Sequence, residues 1–287
     1  DALKCILVCC FGYQGYENSK FGRIEAHEAI SAYARDILLT AKEYFENGGW
    51  RIVHGIVDSI WVQPIDGAEQ EPLGEIAQAI TDAGEIELEF EHEYDWICFV
   101  PRRTSDAGAL TKYFGRDIDG EWKIRGIETR QRSTPAWIDD RQEDLMETLG
   151  ETQDPEAVCD HCRRFISDLQ AGRVDPQDLV IRKRVSKRLE AYTQETQTVA
   201  ALRRYEDLGV SKHPGQDVTY VVVNDEAMRS AQRVRVAFEE PTEYDADWYA
   251  DELIRACESV LSPIGWNDRD IRQYLRGDEA VGLGVFR

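Results

Sequence analysis

Hydrophobic and polar positions recur along this chain with two different periods, and the switches between them mark its elements. Leu3 to Tyr13 is an apolar run with Lys4 as its one charge, the pattern of a buried helix whose lysine reaches outward. A glycine-punctuated loop spans Tyr13 to Gly22. From Ile24 the apolar set Ile30, Ala34, Ile37, Ala41, Tyr44 and Phe45 follows helical spacing and stops at Asn47-Gly48-Gly49, a glycine-capped end. His27 lies among the polar positions of that helix and reads as solvated. Arg51 to Gln63 changes period: two β-branched apolar arms flank a short polar centre, which predicts a tight β-hairpin with Asp58 at or beside its turn. A carboxylate on a rigid strand end is well placed to hold a metal, although an ordinary turn aspartate has the same local pattern.

Past the hairpin, Gly67 to Pro72 reads as a loop and Leu73 to Ala83 as a short helix. Glu85 to Tyr94 alternates strictly, predicting a strand with acids outward and apolars inward that runs on through Trp96, Cys98 and Val100 to Pro101. Its glutamates share one solvated face, so they are read as surface. Ala109 to Gly115, the turn Asp117-Ile-Asp-Gly120 and Glu121 to Pro135 give a hairpin with a basic exit. Lys123, Arg125, Arg130 and Arg132 form an island of four positives with only Glu128 among them. A tyrosine among cations, here Tyr113 beside Lys112, can lie along a sugar-phosphate strand while the cations pair with its oxygens. A charge-blunted edge hairpin would look similar.

A boundary is expected near Thr134-Pro135, giving domains 1–133 and 134–287. Between Asp139 and Gln170 the spacing of Leu145, Leu149, Val158, Phe165, Ile166 and Leu169 predicts two amphipathic helices broken at Asp154-Pro155. Cys159-Asp-His-Cys162 falls on the second; without a second cysteine pair, packing is favoured over zinc. Leu179-Val-Ile is followed by five positives, including Arg182, Lys183, Arg184 and Lys187. A helix through Tyr205, a turn and strand from His213 to Val223, and a helix from Tyr244 to Leu261 closed by Pro263 to Trp266 complete the pattern. The fold class is α+β: an antiparallel sheet packed on helices, followed by a mostly helical part.

A chain of 287 residues with 42% hydrophobic content can bury a core. No run of 18 apolar residues and no N-terminal signal pattern occur, so a cytoplasmic protein with no membrane role is expected. The seven cysteines form no framework and read as reduced thiols. The net charge of -21 opposes phosphate binding, unless salt removes the repulsion. Only eight of the basic residues are lysine and 26 are arginine, a bias typical of salt-loving cells. At molar salt the Debye length is roughly 3 Å, leaving local arginines and shape fit to bind DNA. An acidic protein that avoids DNA is the alternative reading of the charge.

Several of these stretches resemble motifs of the family-B DNA polymerases. His54-Gly-Ile-Val-Asp-Ser59 is similar to motif C, Tyr-Gly-Asp-Thr-Asp-Ser: Asp58 takes the place of the second Asp, which ligates the catalytic metals, and Ile56 replaces the first. Leu3 to Tyr13 resembles motif B, Lys-x3-Asn-Ser-x-Tyr-Gly, in the fingers. Lys4 matches the lysine that contacts the incoming triphosphate, Phe11 the Tyr that packs on the nucleotide, and Gly12 the Gly, while Val8 and Cys9 replace Asn and Ser. Leu110-Thr-Lys-Tyr-Phe-Gly115 and Gly126-Ile-Glu128 resemble Lys-Lys-Arg-Tyr-x-Gly and Gly-Ile/Leu-Glu of the palm, whose basic and Tyr unit grips the primer strand; Lys112, Tyr113 and Gly115 match, and Leu110 and Thr111 replace the two Lys. The basic run after Leu179, Pro214-Gly before Val218-Thr-Tyr-Val-Val, and Tyr244-Asp-Ala-Asp-Trp-Tyr249 resemble the thumb, which holds the duplex by its backbone.

The resemblance implies the end of the fingers and the later part of the palm over 1–133 and a thumb over 134–287, within the divergent archaeal group with degenerate motifs. It implies DNA-directed nucleotidyl transfer onto a primer 3′-OH, with Mg²⁺ as cofactor, Asp58 as metal ligand, and primer-template DNA and dNTP as partners. The second metal carboxylate comes in the family from motif A, placed ahead of residue 1. The chain alone is therefore expected to be inactive and to need an N-terminal portion carrying motif A. The competing expectation is a catalytically inactive DNA-binding replication or repair factor, since Ile56, Val8 and Thr111 weaken the chemistry and the thumb features survive. Val281 to Arg287 does not make a convincing clamp-binding peptide.

Overall fold

The computed structural model describes residues 2–102 and 105–277, and the chain-terminal segment Val281 to Arg287 lies outside them. The chain divides into two compact units, Asp1–His92 and Glu93–Arg287.

In the first unit, helix α1 (Ala2–Gln14) leads into α2 (Ile24–Asn47). The helix α2 stops where the sequence places its two glycines: the Gly48 N–H donates to the Tyr44 carbonyl at 2.9 Å, and Gly49 takes φ +82°. Strand β1 (Trp50–Ile56) then pairs antiparallel with β2 (Ser59–Pro64), leaving Val57 and Asp58 as the two-residue turn. Helix α3 (Leu73–Gly84) completes the unit. Its core is Ala41 and Phe45 of α2 with Ile76 and Ile80 of α3, and the hairpin adds Trp50, Ile52, Ile60 and Val62. These contacts fix the base of the hairpin and leave its tip in solvent.

Two expectations change here. Helix α1 forms, but none of its residues is buried. Glu85 to Glu93 is not a strand: pairing begins only at Tyr94, and Ile86 and Phe90 are exposed. Alternation creates two faces, but a strand also needs a hydrogen-bonding neighbour, and no described strand pairs with this segment. Leu88 steps inward, and its N–H donates to the Thr81 hydroxyl at 3.0 Å.

The second unit opens with a three-stranded antiparallel sheet, β3 (Tyr94–Arg102), β4 (Ser105–Asp117) and β5 (Trp122–Arg125). The Asp117 carboxylate closes the β4–β5 turn by accepting from the N–H groups of Asp119 and Glu121 at 3.1 and 2.7 Å. Helices α4 (Ala136–Thr152) and α5 (Pro155–Gln170) break where the sequence predicts, with the Asp154 carboxylate accepting from Glu156 N–H at 2.9 Å and Pro155 in the first turn. A second antiparallel sheet follows in the order β6 (Ile181–Arg184), β7 (Asp217–Val222), β8 (Val234–Val236), with α6 (Gln197–Asp207) between β6 and β7. Helices α7 (Ala246–Leu261) and α8 (Asp268–Leu275) close the unit. The α+β class holds. The division expected at residue 134 assigns roles; in packing, Ile124 and Ile127 ahead of it share one core with Leu145, Met146 and Leu149 behind it.

Candidate nucleotide and nucleic-acid interface

Asp58 occupies the exposed hairpin tip, with the Ser59 hydroxyl 3.4 Å from its Oδ1. Val57, next to it, lies at φ +49°, a left-handed conformation costly for a β-branched residue. Ile56, in the place of the first acid of the motif, is buried. Magnesium requires a near-octahedral set of oxygen ligands. Among the described residues no group of three or more His, Cys, Asp or Glu side chains is arranged to hold an ion, so Asp58 offers one ligand and not a site.

Three of the predicted nucleotide residues sit on α1. Lys4 is exposed. Phe11 stacks on His27 of α2 with ring centroids 4.2 Å apart, and the Phe11 carbonyl is 3.2 Å from His27 Nδ1. His27 is therefore half-buried and tied to α1, not simply solvated. Gly12 has nothing within 4 Å of where a Cβ would stand. Glycine inside a helix costs roughly 1 kcal/mol relative to alanine, and no contact among the described residues accounts for that cost.

In the second unit, β4 pairs with β5 so that Tyr113 faces Arg125 and Gly115 faces Lys123. Side chains alternate across a strand, so Lys123 and Arg125 share the face of Tyr113, whereas Lys112 belongs to the opposite face with Phe114. Lys112 is thus on the other side of the sheet from Lys123 and Arg125 of the basic island. Tyr113 departs from expectation more sharply: it is 2% exposed and packs on Phe99 with centroids 5.8 Å apart. A ring buried in this way supports the sheet and presents no surface for a sugar to lie on. Arg125, Arg130 and Arg132 are exposed.

The loop carrying Arg130 and Arg132 is held by a residue that pattern reading missed. Gln142 of α4 is fully buried; its Oε1 accepts from Thr129 N–H at 2.8 Å, and its Nε2 donates to the Glu128 carboxylate and the Ala256 carbonyl, each at 2.9 Å. Glu128, the acid of the Gly-Ile-Glu block, is therefore an anchor for this loop. Asp139 nearby has its carboxyl pushed up by burial, opposed by its hydrogen bond with Thr129 and by Arg130. In the sequence Gln142 is one polar residue in a charged stretch of helix, and nothing local marks it for burial.

The second basic cluster lies on β6, an edge strand, where Ile181 and Val185 are buried and Arg182, Lys183 and Arg184 are exposed. Arg182 Nε donates to the Asp217 carboxylate at 2.7 Å, so that charge is partly committed across the sheet. Lys183, Arg184, Ser186 and Lys187 line an open hollow with Tyr192, Thr193, Gln194, Thr196 and Thr198. Lys187 stands 4.9 Å over the Tyr192 ring, and the Tyr192 hydroxyl accepts from Ser186 N–H at 3.3 Å. Cations interleaved with hydroxyl donors around an open hollow suit a phosphate group. Sequence reading found the cations but not the hydroxyl wall, which the loop between β6 and α6 folds back to supply.

The aromatic block at the end of the sequence proves structural. Asp245 caps α7 by accepting from Trp248 N–H at 3.0 Å, and the buried Tyr249 hydroxyl donates to the Leu179 carbonyl at 2.8 Å while accepting from Val222 N–H at 3.0 Å. Cys159 and Cys162 are fully buried beside Cys257, whose thiol is pushed well up by their hydrogen bonds and by burial. His161 between them pairs instead with the Thr148 hydroxyl at 2.7 Å. Thiols enclosed in an apolar core serve packing.

Comparison with known proteins bears on the chain as a whole. The family model described as DNA polymerase family B matches residues 1–264. The chain is 26% identical to the DNA polymerase of Thermococcus kodakarensis over 96% of its own length and 16% of that protein. It is 24% identical to the DNA polymerase of Thermococcus sp. strain 9oN-7 over 99% of its length and 37% of the relative. The structure of the family B DNA polymerase from Pyrobaculum calidifontis superposes with a TM-score of 0.65 at 23% identity, covering 93% of this chain and 34% of the other. The chain thus spans between 16% and 37% of the length of these proteins.

Proposed function

The chain belongs to DNA polymerase family B, and from that premise we propose that it forms the C-terminal half of a DNA-directed DNA polymerase that extends a primer 3′-OH. The observation that carries this reading is the hairpin: it delivers one solvent-exposed carboxylate, Asp58, on a rigid two-residue turn at the motif C position. In this reading residues 1–133 complete the fingers and palm, and residues 134–287 act as the thumb. Lys4 would meet the triphosphate, and the open side of Gly12 would let a nucleotide approach α1 closely. Arg125, Arg130 and Arg132, with Lys112 and Lys123, would hold primer-template DNA near the reaction. Arg182, Lys183, Arg184 and Lys187 would hold the duplex further along by its phosphates. Tyr113 would serve by supporting the strand from beneath.

Mg²⁺, the ion the family implies, would offset the charge that builds on the transferred phosphate. Asp58 supplies one hard ligand toward it, and the described residues of this chain do not make a complete site. The proposal therefore includes an N-terminal portion that brings motif A and the remaining carboxylate, in a cytoplasm of high salt. A second reading has a specific observation behind it: Ile56, buried where the first acid would stand, suits an inactive DNA-binding replication or repair factor.

One experiment separates them. The chain, joined to or paired with an N-terminal portion carrying motif A, is placed in Mg²⁺ and molar KCl, and primer extension and DNA binding are measured for wild type and Asp58→Ala. The polymerase reading expects extension to fall at least about a hundredfold on loss of a metal ligand worth several kcal/mol, with DNA binding unchanged. Extension that ignores the substitution, or extension by the lone chain, overturns the assignment of Asp58 and of the second polypeptide respectively.

A further inference from the structure

The turn that carries Asp58 is closed by the pair Ile56 and Ser59, which leaves Val57 and Asp58 to reverse the chain. A two-residue reversal between strands of right-handed twist calls for a positive φ at its first position. Val57 supplies it at +49°, and Asp58 does not share it. Glycine and asparagine enter that region at little cost, whereas a β-branched residue there is an outlier. Among the described residues three other non-glycine positions have positive φ, namely Glu85, Gln153 and Glu240. Glu85 follows the last residue of α3, Gln153 follows that of α4, and Glu240 follows the 3-10 turn Ala237–Glu239. A left-handed residue is an ordinary way to end a helix. Val57 ends none, and of the four it alone is branched at Cβ.

The strands on either side do not need valine at the turn. Trp50, Ile52, Ile60 and Val62 pack against α2 and α3, and Ile56 is buried. With those anchors the hairpin would close around glycine or asparagine under less strain. What valine contributes is confinement. Two γ carbons on Cβ restrict χ1 and narrow the backbone well, whereas glycine would let the peptide between positions 57 and 58 swing through the left-handed and mirror-β regions alike. Strain held beside a functional group belongs to sites that use rigidity.

We propose that Val57 is a positioning residue, whose left-handed, β-branched backbone fixes the direction in which Asp58 presents its carboxylate. The Ser59 hydroxyl, 3.4 Å from Asp58 Oδ1, steadies the carboxylate from the other side of the turn. A ligand aimed in advance has less freedom to lose when it takes up an ion, and a site held loosely by its support loses rate steeply. The inference rests on the reading that Asp58 is a metal ligand of a polymerase, and it adds the residue that aims it.

Two substitutions separate confinement from support. Val57→Gly removes both the strain and the restriction, and Val57→Ile keeps the branching at Cβ. In the 287-residue chain, thermal unfolding is measured by calorimetry and hydrogen exchange of the hairpin, residues 50–64, by mass spectrometry. Val57→Gly is expected to leave the midpoint level or raise it by about 1–3 °C, while exchange at the turn amides becomes at least about threefold faster. Joined to or paired with an N-terminal portion carrying motif A, the same variant is expected to extend a primer at least about tenfold more slowly and to need about threefold more Mg²⁺ for its half-maximal rate, with Kd for primer-template unchanged. Val57→Ile serves as the rescue and should follow wild type in every measurement.

A Val57→Gly chain with wild-type exchange and a wild-type Mg²⁺ requirement overturns the proposal. So does one whose midpoint falls by several degrees, because Val57 then holds the hairpin together and does not aim Asp58. Asp58→Ala is run alongside to keep the two readings apart. Where it abolishes extension and Val57→Gly leaves extension intact, the positioning role alone is lost. Where Asp58→Ala extends as well as wild type, the metal-ligand reading falls and the positioning role falls with it.

Discussion

Glu252 on α7 has its carboxyl pushed above the ordinary range by burial, with Arg255 and Lys183 opposing and Glu128 and Asp251 reinforcing the shift. A carboxyl raised in the folded state binds its proton more tightly there than in the unfolded chain. Folding stability therefore falls as pH climbs from the ordinary glutamate range through that raised value. Glu252→Gln is expected to raise the midpoint of thermal unfolding by about 1–3 °C at pH 7, the effect of a fraction of a kcal/mol in a protein of this size. The gain should shrink toward nothing as the buffer is taken down to about pH 4.5 and below, near the ordinary glutamate value. A lower midpoint at every pH would show that the Arg255 pair outweighs the burial cost. Glycines make the same point about single positions. Gly126 sits at φ +73°, where a Cβ would stand 2.1 Å from the Thr111 carbonyl oxygen, and a Cβ at Gly115 would lie 2.6 Å from that of Trp96. Both glycines of the palm-like block are thus required by strand approach, whatever the block does with DNA.

The elements built from short-range signals were legible: the glycine stop of α2, the Asp154-Pro155 break between α4 and α5, and the hairpin that carries Asp58. Elements that depend on a partner were not. Glu85 to Glu93 has the alternation of a strand without a described neighbour to pair with, and α1 has the composition of a core helix without a core around it. The candidate site divides in the same way. Charges of β5 and β6 could be read off the chain, but which of them share a face depends on register, and the burial of Tyr113 depends on Phe99 from another strand. Gln142 is the clearest case of a tertiary role without a local signature, since it joins α4 to the β5 exit and to α7. Gln142→Ala removes both ends of its amide and leaves the Thr129 N–H and the Ala256 carbonyl without that bond. A loss of about 2–4 kcal/mol is expected, from a shifted urea midpoint at constant slope. DNA binding should weaken along with it as the Arg130 and Arg132 loop loosens. A variant as stable as wild type would mean that water replaces the glutamine at no cost.

At the scale of the whole molecule, the net charge of -21 works against folding and against DNA binding alike, and salt relieves both. Like charges spread over a compact chain repel one another, and the ion pairs that offset this are mostly between exposed groups, such as Arg173 with Asp168 and Arg229 with Asp207. Exposed pairs of that kind are worth about 0–1 kcal/mol each and weaken with salt, so they cannot carry the fold when repulsion is unscreened. Raising ionic strength from about 0.1 M to 1 M cuts the Debye length from about 10 Å to about 3 Å. Repulsion between charges more than a few ångströms apart is then removed, while contacts such as the partly buried Arg204 and Glu239 pair persist. The thermal midpoint is accordingly expected to rise by several degrees between about 0.1 M and 2 M KCl, at a scale of about 2–4 °C per kcal/mol. Sucrose at matched osmotic strength supplies the control, because it strengthens burial without screening. A midpoint that rises equally in sucrose would assign the gain to burial. One that falls in KCl would mean that the arginine pairs outweigh the surplus acid, and the high-salt setting proposed for DNA binding would lose its physical basis.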